Sequence, residues 1–140
     1  MRNNMGLHDF QTQETFERIE EVVEENLRNP DFTVYQLASQ LGISYNFIYK
    51  FIKKLADMSP NEFIKARRLD HAMSLIERNY NISVEYLSAE CGFKYPSTFF
   101  RSFKDRFSVG PSKMMQIIAN KEFRNVQSEN EISQGYFESN

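Results

Sequence analysis

The chain repeats itself. Sliding it along itself by 50 places brings Val34 onto Val84, Leu37 onto Leu87, Gly42 onto Gly92 and Tyr45 onto Tyr95. Beyond that point a shift of 51 aligns Ile48 with Phe99, Lys50 with Arg101, Ile52 with Phe103, Lys53 with Lys104 and Pro60 with Pro111. The second copy carries one extra residue at the start of its basic segment. Self-similarity of this kind is the signature of one supersecondary unit used twice. Each copy reads as short helix, glycine turn, basic helix, the order in which a helix-turn-helix presents its second helix to the major groove.

Capping signals set the helix boundaries. Thr33 and Gln36 form one capping box, and Ser59 and Glu62 form another with Pro60 at the first helical position. The first box predicts a helix to about Leu41, ended by Gly42; Ser44 then caps a basic helix to about Ala56. The second box opens a long helix to about Arg78, with Phe63, Leu69, Ala72, Met73 and Ile76 on its apolar face. After a turn at Asn79–Asn81, Ser83 caps a short helix to about Cys91, Gly92 breaks it, and a second basic helix covers Pro96–Phe107. Pro111 opens a last helix with Met114, Met115, Ile117 and Ile118 available for packing. Upstream, Phe16, Ile19, Val22, Val23 and Leu27 recur at helical spacing over 13–29 among crowded glutamates, and Asn29-Pro30 ends that helix. No segment has the period of a strand. The expectation is an all-α protein: a flexible N-terminus (1–12), an acidic amphipathic helix (13–30), a first helix-turn-helix (31–58), a linking helix (59–79), a second helix-turn-helix (80–120) and a polar, disordered tail (121–140).

The net charge of −2 conceals a strong asymmetry. Residues 33–114 hold 12 basic and 7 acidic side chains, whereas residues 1–32 hold 3 basic and 8 acidic. A basic middle between acidic ends is compatible with a polyanionic partner. Enzyme chemistry finds little support, with no Gly-rich phosphate loop and no nucleophile–base spacing. Cys91 is the sole cysteine, and His8 and His71 lack metal-ligand spacing, so neither a disulfide, a metal site nor a cofactor is expected. Cys91 reads as a small core residue and His71 as a structural or surface histidine. The start lacks a signal peptide's apolar run and no segment is long and apolar enough to span a membrane, so a cytoplasmic setting without membrane contact is expected.

Each basic helix has two usable faces. Ile48, Phe51, Ile52 and Leu55 form a core face in the first, and Phe99, Phe103 and Phe107 in the second. Asn46, Tyr49, Lys50 and Lys53 form a polar stripe, matched by Ser97, Phe100, Arg101 and Lys104. Arg101 can present a bidentate fork to guanine, Lys50 can reach guanine or phosphate, and Asn46 can pair with adenine. Tyr49 and Phe100 can pack on a thymine methyl, while Phe100 can equally pack on another part of the protein. Lys53 and Lys104 stand one turn further along, where phosphate contacts position without reading sequence. Tyr45 and Tyr95 precede the stripes and can donate a hydroxyl to the DNA backbone.

Residues 33–114, above all "SPNEFIKARRLDHAMSLI", "LSAECGF" and "STFFRSFKDRF", resemble the DNA-binding domain of AraC-type transcription regulators. The resemblance implies two helix-turn-helix subdomains flanking a linking helix, with recognition helices in successive major grooves of double-stranded DNA. It puts Asn46, Tyr49 and Lys50 at base-facing places of the first unit and Ser97, Thr98 and Arg101 at those of the second. Thr98 comes from the resemblance alone. The chain departs from the family pattern at Asp57 and Ser108, where glycine is usual, at Gly110, where Ser or Thr is usual, at Lys50, where arginine is more usual, and at Ser88, where alanine is common. The acidic helix and "NLRNPDFTVYQLA" also look like what precedes this domain in hybrid two-component regulators. An excised effector domain and a small stand-alone regulator are both compatible with the sequence. Expected partners beyond DNA are an upstream sensor or receiver domain, RNA polymerase or a second copy. The competing reading is a helical interaction module that uses the Glu-rich helix, with DNA binding weak or lost.

Overall fold

The computed structural model describes residues 2–138, with side chains described for residues 9–132. Seven helices and no strand occur among the described residues: α1 (Arg2–Asn26), α2 (Val34–Leu41), α3 (Tyr45–Ala56), α4 (Pro60–Arg78), α5 (Val84–Glu90), α6 (Pro96–Phe107) and α7 (Pro111–Glu138). Both capping boxes form. The Gln36 N–H donates to Thr33 Oγ1 at 3.2 Å while the Thr33 N–H donates to Gln36 Oε1 at 3.0 Å. The Glu62 N–H and Ser59 Oγ, and the Ser59 N–H and Glu62 Oε2, repeat the pattern at 3.2 and 3.0 Å.

α4 divides two separate cores. Its first half gives Phe63 and Ile64 to a cluster with Ile19, Val23 and Leu27 of the N-terminal arm, Leu37 of α2, and Ile48 and Ile52 of α3. Its second half gives Leu69, Ala72 and Ile76 to a cluster with Leu87, Cys91, Phe99, Phe103 and Met115. The acidic helix is thus a full member of the first core: one face is buried while Glu17, Glu21, Glu24 and Glu25 stay exposed. Buried Cys91 has its thiol pushed up to about 12 by loss of solvation, which keeps it protonated and unreactive.

Three sequence expectations need correction. Residues 2–12 are helical rather than flexible, because α1 begins at Arg2. The polar tail is helical rather than disordered, because α7 runs to Glu138. In both cases a packed segment bears the cost of nucleation, after which each further residue adds one backbone hydrogen bond at little cost. Side chains 120–132 of α7 are all exposed, so this stretch extends as helix without a core of its own. Leu55, expected on the core face of α3, is exposed, and Phe51 is only half-buried. Both line a groove of about 480 Å³ between α3 and the first half of α1, which leaves Leu55 open to solvent while Phe51 still packs against the first core.

The positions that depart from family glycine have a backbone signature. Asp57 (φ 54°) and Ser108 (φ 73°) terminate α3 and α6 in the left-handed region, each donating its N–H back to Lys53 and Lys104 carbonyls respectively. An L-residue pays roughly 1–2 kcal/mol there, and aspartate tolerates it better than serine. Ser108→Gly is therefore expected to stabilise the chain by about 1 kcal/mol, less the extra entropy glycine brings to the unfolded state; a urea denaturation midpoint raised at unchanged slope would be the sign. Ser88 is buried, and its Oγ finds no hydrogen-bond partner among the described residues.

Candidate nucleic-acid interface

The two basic helices present the stripes read from sequence. In α3, Ile48 and Ile52 face inward, while Asn46, Tyr49, Lys50 and Lys53 are exposed. In α6, Phe99 and Phe103 are fully buried, and Ser97, Thr98, Phe100, Arg101 and Lys104 are exposed. The buried residues repeat every fourth position, so the helix turns the stripe positions outward, while Ser102 beside Phe103 stays buried and Phe51 beside Ile52 half-buried. Ser44 caps α3 by accepting the Phe47 N–H at 3.1 Å. α6 has no side-chain cap; Pro96 at its first position fixes the start instead.

Ion pairing sorts the basic residues into two sets. Arg106 is committed to Asp70 of α4 through Nε and Nη2 hydrogen bonds of 2.9 and 3.1 Å. Arg67 is paired with Glu20, Arg28 with Glu90 at 3.0 Å, and Lys94 with Asp31 at 2.7 Å. The Asp31 hydrogen bond and charge hold the Lys94 ammonium above the ordinary lysine range. Lys53 has a loose contact with Asp57 at 3.7 Å. Among the described residues no ion pair neutralises Lys50, Arg101 or Lys104. Lys50, Arg101 and Lys104 thus stand unpaired and exposed on the stripes, as Lys54, Lys65, Arg78 and Lys113 do elsewhere among the described residues, whereas Arg28, Arg67, Lys94 and Arg106 are engaged by carboxylates of the fold.

The aromatic members behave differently from one another. Tyr45 is half-buried, its ring 4.7 Å from Tyr35 and 6.5 Å from Tyr49. Tyr95, the N-cap of α6, is 66% exposed. Phe100 is 47% exposed, and the rest of its ring lies against Gly110, where an added Cβ would stand 2.7 Å from Phe100 Cε2. The glycine at 110 and the phenylalanine at 100 thus explain one another: a larger residue at 110 would displace the ring. Tyr35 carried no sequence expectation, and Gly110 stood out only as a departure from the family pattern, without its contact to Phe100. Tyr35 lies in the first turn of a capped helix, outside either stripe, and the value of Gly110 depends on a ring ten residues away.

No group of His, Cys, Asp and Glu able to hold a metal occurs among the described residues. No described helix is long and apolar enough to cross a membrane.

A family model described as a helix-turn-helix domain matches residues 37–117. A structure of a probable AraC family transcriptional regulator from Rhodopseudomonas palustris is similar at 30% identity and a TM-score of 0.62, covering 73% of this chain and 94% of that one. Among curated proteins, a histidine kinase of Formosa agariphila is 36% identical over 92 residues, which are 66% of this chain and 7% of the kinase. The HTH-type transcriptional regulator CdhR of Pseudomonas aeruginosa is 33% identical over 84 residues, 60% of this chain and 25% of that protein. The chain thus spans a quarter or less of the length of these two curated relatives.

Proposed function

The chain belongs to the AraC-type helix-turn-helix family of DNA-binding transcription regulators, and we propose that it reads double-stranded DNA by placing α3 and α6 in successive major grooves. The observation that carries this reading is the pair of equivalent, exposed stripes, Asn46-Tyr49-Lys50-Lys53 and Ser97-Phe100-Arg101-Lys104, in which Lys50, Arg101 and Lys104 have no ion-pair partner among the described residues and each stripe lies opposite its own buried face. Arg101 recognises a guanine through its planar fork, and Lys50 a guanine or a phosphate. Asn46 suits adenine, and Tyr49 and Phe100 suit a thymine methyl. Ser97 and Thr98 lie at the start of α6, where a hydroxyl can meet a base edge or a phosphate. Lys53 and Lys104 set the register through phosphates, joined by the Tyr45 and Tyr95 hydroxyls.

The exposed glutamates of α1 would repel DNA, so this face is the side offered to an upstream domain. The relationship to a much longer histidine kinase supports an effector role downstream of a sensor or receiver, in the cytoplasm. RNA polymerase and a second copy are further partners for such an effector.

Selection from a randomised duplex pool tests the reading. It should enrich two short half-sites about one helical turn apart, ~10–10.5 bp. Arg101→Ala should lose about 10–100-fold affinity for the enriched site and relax one base position, as removal of a guanine fork worth about 1–3 kcal/mol requires. A pool that enriches no motif would favour the interaction-module reading instead.

A further inference from the structure

We propose that Tyr35 is a phosphate-gripping residue of the first subdomain, donating its phenolic hydroxyl to the DNA backbone at the rim of the groove that α3 reads. The proposal rests on the DNA-binding reading above and adds to it a residue that lies outside both recognition helices.

Tyr35 stands in the first turn of α2, two residues after the Thr33 cap. It is 70% exposed, yet its ring is not loose: it stacks on Tyr45 at 4.7 Å with the planes 18° apart. Tyr45 in turn lies 6.5 Å from Tyr49, with the planes 26° apart. Three tyrosine rings thus form a row that starts on the base-facing stripe and ends at the N-terminal turn of the preceding helix. In a helix-turn-helix that first helix crosses the DNA backbone while the second enters the groove. The row therefore runs from bases to phosphates. Stacking fixes the outermost ring before binding, so little side-chain freedom remains to be lost when its hydroxyl meets a phosphate oxygen.

The second subdomain lacks this device. The residue at the same place after its Ser83 cap is Glu85, exposed and negatively charged. A carboxylate at the rim repels phosphate where a phenol would bind it. The repeat has therefore been differentiated: the first unit grips the backbone at its outer rim and the second does not.

A phenol is a neutral donor, which separates its contribution from that of the lysines. Neutralising a phosphate with a cation releases counterions and steepens the salt dependence by about 0.9 per contact, whereas a neutral hydrogen bond leaves the slope alone. The test measures the affinity of the full chain for its selected duplex across a salt series, for wild type, Tyr35→Phe, Tyr35→Glu and Lys53→Ala. Tyr35→Phe keeps the ring and the stack, so the thermal melt should not move. Its binding should weaken about tenfold on selected and random duplexes alike, a loss in the range of a hydrogen bond to a charged acceptor. The enriched motif and the salt slope should stay as in wild type, while Lys53→Ala lowers the slope by about 0.9. Tyr35→Glu, which copies the second subdomain, should bind more weakly than Tyr35→Phe. A wild-type chain that enriches a motif which Tyr35→Phe binds equally well would overturn the Tyr35 assignment alone. So would a Tyr35→Phe variant with a changed motif, because that residue would then be reading bases. A wild-type chain that enriches nothing would overturn both this assignment and the reading beneath it.

Discussion

Gly92→Ala is expected to destabilise the chain by about 3–5 kcal/mol, whereas Gly42→Ala, at the equivalent place in the first repeat, should cost about 1 kcal/mol. Both glycines end a short helix in the left-handed region, with φ of 77° and 68°, so the backbone contribution is common to the two. Their surroundings differ. A Cβ on Gly42 would meet nothing within 4 Å. A Cβ on Gly92 would stand 2.0 Å from the Leu27 carbonyl oxygen and 2.9 Å from Arg68 Nε. The carbonyl belongs to the segment leaving α1, and that segment is strapped to the rest of the protein. Arg68 Nη2 donates to the Asn29 carbonyl at 2.8 Å, Arg28 pairs with Glu90 and Lys94 pairs with Asp31. Residues 27–31 therefore bridge the linking helix and the turn of the second helix-turn-helix, and they cannot retreat from a new methyl group without releasing those contacts. Burial lowers the Arg68 guanidinium below its ordinary value, a sign of how closely this strap is packed. Urea denaturation of the two variants in parallel gives the comparison directly. Equal costs would mean that the strap yields, and that α1 does not fix the placement of the second subdomain against the first.

What sequence could and could not foretell divides by the range of the interaction. The repeat, both capping boxes and the ends of α2, α3, α4 and α6 depend on residues within a few places of one another, and those emerge where expected. The buried faces of α3 and α6 were legible for the same reason, since Ile48, Ile52, Phe99 and Phe103 follow the helical period. Leu55 follows that period too, yet it faces a groove, because whether a periodic position is covered depends on what lies opposite. The extensions of α1 and α7 carry no periodic signal: they are helical by continuation from packed segments. The strap was invisible, because Gly92 and Leu27 meet through a backbone atom and no pattern of side chains announces it. Asp57 and Ser108 were visible as departures, and the positive φ at each supplies the physical reason that glycine is the usual residue there.

Phe99→Ala should cost about 3–5 kcal/mol, the range for removing a buried aromatic side chain from a core. Phe99 is fully buried and central in a chain of rings, 5.2 Å from Phe93 and 5.7 Å from Phe103, with Phe107 a further 4.7 Å beyond. A whole domain is stable by only about 5–15 kcal/mol, so the loss is a large share of the total. Where it falls matters more than its size. Phe99 touches only the second core, and α4 contributes different residues to the two cores. The ion pairs of the strap involve largely exposed side chains on at least one partner, and such pairs are worth about 0–1 kcal/mol each. They cannot spread a deficit of this size across both halves. The expected result is an unfolding that splits in two: by native-state hydrogen exchange, amides of α5 and α6 lose protection first, while those of α2, α3 and the first half of α4 keep theirs. The folded remainder would still present Asn46, Tyr49 and Lys50, so it should bind one half-site weakly and discriminate poorly. Simultaneous loss of protection in both halves would instead show that the packing of Gly92 on Leu27 couples the subdomains more tightly than their separate cores imply.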